Sequence, residues 1–157
     1  MFGDWLAGLE ALTLARALRD SVWVYPLVNA GHVLGIALLV GSIIPLDLRL
    51  LGFWRSVGVA PLWQVLTRVA AFGLALAVAC GTLLFIARAT EYAASDFFIA
   101  KMAVVGVAVA NALTLRRVAP ARLSNGWLLP RSVRLAATVS LLAWPIALIL
   151  GRLVGYF

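Results

Sequence analysis

Charged positions are rare along this chain, and between them lie four long apolar runs. Residues 21–44, 69–87 and 135–151 carry no formal charge, and 97–115 hold only Lys101, near their start. A membrane-spanning helix needs about 20 apolar residues. The pattern therefore predicts spans at 22–44, 69–87, 97–115 and 135–156. None of these runs alternates apolar and polar positions as a barrel stave would. In lipid the backbone must satisfy its own hydrogen bonds, so each run reads as a helix. Short connections predict an antiparallel up-and-down bundle, all-α, forming one membrane domain over residues 1–157.

Local signals refine this picture. Pro26 falls in the first turns of span 1, and Pro45 is expected to end it before "LDLRLLG". Trp23, Tyr25, Trp54 and Trp63 mark interfacial belts. Residues 4–19 read as one interfacial amphipathic helix with Trp5, Leu9 and Leu12 on its apolar stripe. Small residues recur at every fourth position in Gly73/Ala77/Gly81 and again in Gly106/Ala110, surfaces that let another helix approach closely. Pro145 is expected to kink span 4.

Composition agrees with the pattern. Of the 157 residues 64% are hydrophobic and 12% charged, whereas a soluble domain runs near half and a quarter. The net charge is +7, a value that by itself suggests nucleic acid. Its distribution excludes that reading. The first loop holds Arg49, Arg55 and Arg68 against Asp47, and the third holds Arg116, Arg117, Arg122, Arg131 and Arg134 with no acid. Charges on the opposite face cancel. A one-sided excess is the mark of positive-inside topology, with both termini outside and the basic loops against anionic headgroups. The start of the chain lacks the basic segment of a secretory signal. A lone cysteine, Cys80, excludes an intrachain disulfide and a paired-cysteine metal site.

The chain's single histidine, His32, falls near the middle of span 1. On a helix it shares a face with Tyr25, Asn29, Ile36, Leu39 and Ile43, beside a small-residue strip of Gly31, Gly35 and Ser42. A polar group at that depth must face protein or a cofactor. One reading makes it interhelical glue, bonded to Asn29, Asn111 or a backbone carbonyl. The other makes it a metal ligand, axial to the iron of haem b, with Gly31 and Gly35 giving room for the macrocycle and Arg88 and Lys101 pairing propionates. Copper binding and proton or ion passage are further readings. A bis-histidine iron needs two imidazoles and the chain has one, so a haem takes His32 from each of two protomers of a homo-oligomer, or Met102 as its second ligand, or stays five-coordinate; the two-fold His32 pair is the better model. Met102 is a poorer second ligand, because its depth differs from that of His32 by roughly 7.5 Å. Asp47 and Arg49 read as an interfacial charge cluster.

No catalytic triad, carboxylate pair or phosphate-cradling loop is present, so any chemistry is at most redox. At "HVLGIALLVGSIIPLDLRLLG" and "FFIAKM", residues 32–52 and 97–102, the chain resembles a group of small four-helix bacterial inner-membrane proteins. More distantly it resembles CopD-like copper-resistance proteins and membrane b-type cytochromes, which use several span histidines. The resemblance implies a multi-pass protein of the bacterial inner membrane, with His32 as a possible ligand. Three functions are thus expected in order: haem-b electron transfer or redox and gas sensing, a non-catalytic interaction or assembly protein with a membrane partner, and a small channel or transporter.

Overall fold

The computed structural model describes residues 2–123 and 130–156. Its helices are α1 (Phe2–Glu10), α2 (Thr13–Asp20), α3 (Val24–Leu51), α4 (Val59–Ala87), α5 (Ala89–Ala94), α6 (Asp96–Leu123) and α7 (Arg131–Leu153). Four of them, α3, α4, α6 and α7, are long and apolar enough to cross a membrane. The protein is an all-α membrane bundle, as the apolar runs predict.

The spans overrun their expected limits on the basic side. Helix α3 does not stop at Pro45 but continues through it to Leu51. Proline costs α3 the N–H that would meet the Gly41 carbonyl, a loss that membrane helices tolerate when neighbouring groups re-satisfy the backbone. Seven residues, 52–58, connect α3 to α4, where the charge pattern suggested 47–68. Arg49 explains the tight closure. It is buried, and its Nε donates to the Val57 carbonyl at 2.7 Å while Nη2 reaches the Arg55 carbonyl at 3.4 Å. Gly52 ends the helix at φ 108°, a left-handed conformation that glycine adopts without a Cβ penalty. The expected third loop, 116–134, is helical up to Leu123 and again from Arg131; its middle lies outside the described residues.

At the opposite end, residues 4–19 form two helices, not one. Leu6, Ala15 and Leu18 are their buried side chains, while Trp5 is 62% exposed and Leu12 47%. The difference arises because the segment docks on protein, at the end of α4. Arg19 donates to the Ala87 carbonyl at 2.7 Å and to the Glu10 carbonyl at 2.8 Å. The Glu10 carboxylate accepts from the Thr90 amide at 2.8 Å and from its hydroxyl at 2.6 Å. These two bonds hold the Glu10 carboxyl below its ordinary value of 4.5. A depressed carboxyl stabilises the docked state above the ordinary value and loses that contribution as pH falls through the folded one. Hydrogen exchange in α1 and α2 should therefore accelerate on acidification below about pH 4.5. Glu10→Gln should remove most of that dependence; an unchanged acid response in the variant would refute the linkage.

Phe85, Tyr92 and Phe98 seal this end with ring centroids 5.4–6.4 Å apart. Burial, with Tyr25 alongside, pushes the Tyr92 hydroxyl up to about 12. Within the bundle α3 packs against α4 and α7, and α6 packs against α7. In the order α4–α3–α7–α6 the side between α4 and α6 is the least closely packed, the two helices meeting through the stacked rings of Phe85 and Phe98 at one end. Lipid-side threonines satisfy themselves: Thr82, Thr114 and Thr138 each donate to the carbonyl four residues back.

Candidate functional site

Two polar groups of sites lie within the spans. The first surrounds His32. Its Nδ1 stands 2.7 Å from the Ala77 carbonyl of α4. A carbonyl only accepts, so Nδ1 carries the proton and donates, which leaves Nε2 as the ring atom without that bond. The approach depends on missing side chains. A Cβ on Gly81 would lie 2.9 Å from His32 Cε1, and one on Gly31 would lie 2.9 Å from Cys80 Sγ. At Gly35 a Cβ would meet the Ala77 amide nitrogen at 2.5 Å and the Gly73 carbonyl at 2.8 Å. Gly73 is equally crowded by Leu39 N, at 2.6 Å, and Gly35 O, at 2.7 Å. The α3–α4 crossing is thus a backbone-to-backbone contact, and the small residues of both helices meet inside one protomer.

The remaining residues expected around a haem are dispersed. Arg88 pairs with Glu91 at 3.2 Å, exposed at the bundle end. Lys101 is half-buried, its Nζ 3.3 Å from where a Gly151 Cβ would lie. Gly31 and Gly35 give their space to α4 rather than leaving a slot open. Met102 is 49% exposed and Asn29 is exposed as well. Asn111 is an interhelical bonder, donating from Nδ2 to the Ala136 carbonyl of α7 at 2.9 Å.

The second group was not visible as a site in the sequence. A cavity of about 130 Å³ lies between α4 and α6, with α3 and α7 also contributing to its lining. Its walls are mainly apolar, among them Leu39, Leu74 and Val109, and it reaches the surface beside Leu113 and Arg116, both exposed. Asp47 lines it at 3% exposure and Trp144 at 4%. The Asp47 carboxylate has the Ser140 hydroxyl of α7 as its hydrogen-bonding neighbour. Its Oδ2 has no donor among the described residues, and the Trp144 indole Nε1 has no acceptor. Two other polar residues of the lining are committed: Thr67 donates to the Trp63 carbonyl at 2.6 Å, and Asn111 to the Ala136 carbonyl.

Asp47 and Arg49 are therefore not the expected charge cluster. They sit on opposite duties two residues apart, Arg49 closing the 52–58 turn and Asp47 facing the cavity. Buried groups without partners are rare, and a buried ionisable group in a span is a functional candidate by default. The pair also complements itself chemically, one atom accepting and the other donating. No family, curated protein or solved structure matches this chain.

Proposed function

We propose that this protein is a non-catalytic, membrane-embedded binding protein that takes a bilayer-borne molecule into the cavity between α4 and α6. The observation that carries this reading is that Asp47 and Trp144, which line one cavity, each bury a polar atom, Oδ2 and Nε1, with no partner among the described residues. A ligand offering a donor and an acceptor on an apolar body satisfies both atoms and fills space that lacks protein contacts. The opening between α4 and α6, away from the Phe85–Phe98 stack, gives it a lateral route from the hydrocarbon. In this reading the arginine-rich end faces the cytoplasm of a bacterial inner membrane and both termini face the periplasm. An impermeant thiol reagent should then miss a cysteine placed at Ser56 in intact cells, and labelling there would reverse the orientation.

The test is native mass spectrometry of the full chain released from mild detergent. Wild-type protein should carry a small-molecule adduct. Ala112→Leu, which adds bulk to the cavity wall, should lose it while remaining folded. An adduct equally abundant in both proteins, or none in either, would contradict the assignment.

A second reading is favoured by the His32 bond itself. Histidines that ligate metals commonly donate their other ring N–H to a carbonyl, which fixes the tautomer and aims the free nitrogen. Nδ1 donation to Ala77 provides that arrangement, and a second protomer is then needed to bring the other imidazole to a haem iron.

A further inference from the structure

The cavity's polar groups specify its occupant more closely. This inference rests on the binding reading above. Asp47 and Arg116 both line the cavity. Leu46 and Leu115, their neighbours in sequence, belong to one core cluster, so Asp47 on α3 and Arg116 on α6 lie at one depth. Trp144 follows Ser140 by one turn of α7, toward the middle of the membrane. The order from the basic end inward is thus a carboxylate and a guanidinium together, an indole N–H one turn deeper, then hydrocarbon.

Each simple ligand class fails on one of these groups. An anionic amphiphile brings no cationic donor to Asp47 Oδ2. A purely cationic one meets Arg116 and the arginine-rich end. A quaternary ammonium has no N–H to donate. We propose that the cavity holds the headgroup of a zwitterionic phospholipid bearing a primary ammonium. Its N–H donates to Asp47 Oδ2, its phosphate faces Arg116, an ester carbonyl accepts from Trp144 Nε1, and an acyl chain runs along Leu74 and Val109. The depth order of the protein groups matches that of such a lipid, whose ester carbonyls lie inward of its phosphate and ammonium. The charge-assisted bond to Asp47 supplies the discrimination.

The test measures retention of phosphatidylethanolamine against phosphatidylcholine of identical acyl chains, by native mass spectrometry of the full chain in mild detergent. Wild type should retain the primary amine about tenfold better, the minimum expected of a hydrogen bond to a charged group. Asp47→Asn should bring the two lipids to equal retention. Arg116→Gln, an exposed change that leaves the core intact, should weaken both lipids while preserving their ratio. Equal retention of the two by wild type overturns the headgroup assignment and leaves the binding reading standing. Retention of neither overturns both. If Asp47→Asn does not fold, the wild-type ratio and Arg116→Gln still decide.

Discussion

Gly35→Ala should destabilise the bundle by about 3 kcal/mol, and Gly41→Ala, six residues further along the same helix, should not. The two substitutions are chemically identical and differ only in surroundings. At Gly35 the new methyl falls 2.5 Å from the Ala77 amide nitrogen and 2.8 Å from the Gly73 carbonyl, both main-chain atoms of α4. Neither can rotate away, so α3 and α4 must separate. Separation also breaks the His32–Ala77 bond and opens the contacts around Gly73. At Gly41 nothing lies within 4 Å, and alanine's helix propensity should make the change neutral or favourable by up to about 1 kcal/mol. Thermal unfolding in mild detergent should show a large fall in midpoint for Gly35→Ala alone. Parallel behaviour of the two variants would mean that the α3–α4 crossing is looser than described.

His32→Ala should cost about 1–2 kcal/mol. Interhelical hydrogen bonds in membranes contribute around 0.6 and at most about 1.7 kcal/mol, and loss of the ring's packing against Gly81 adds to that. The same variant separates the two roles left to the imidazole. As a clamp alone, His32 leaves the wild-type protein colourless, and its removal lowers only thermal stability. As a haem ligand, it gives protein from haem-replete cells a low-spin Soret band with about one haem per two chains, and His32→Ala abolishes the band. Colourless wild-type protein would remove the haem reading. A Soret band surviving in His32→Ala would remove the histidine as its ligand.

The bundle was legible because four runs of about 20 apolar residues allow few structures in lipid. His32 was legible as an interhelical group for the same reason: a lone polar side chain in a span needs a partner, and a backbone carbonyl was among those expected. The partner's identity was not, since Ala77 offers only main chain and acquires its role from the glycines around it. Asp47 was misplaced for a different reason. Its neighbour Arg49 and the preceding Pro45 both suggested that the membrane segment had ended, whereas α3 continues to Leu51. One signal was present. The stripe His32, Ile36, Leu39, Ile43 continues at helical spacing to Asp47, and Ser140 and Trp144 lie one turn apart on span 4. Joining those stripes required knowing that α3 packs on α7 while a cavity opens between α4 and α6, which no periodicity within single helices contains. The small-residue strips show the converse. Gly31, Gly35, Gly73, Ala77 and Gly81 indicated close helix approach, and that approach occurs within the protomer, so the pattern needs no second copy to account for it.

The cavity's occupancy is most directly read at the Trp144 indole. In ¹⁵N-labelled protein, that N–H resonance can be assigned as the one missing from Trp144→Phe and followed while delipidated protein is returned to phospholipid. The binding account predicts that it shifts downfield on relipidation, as an acceptor reaches Nε1, and that Ala112→Leu suppresses the shift. A Trp144 resonance that stays in place while lipid is restored would contradict it.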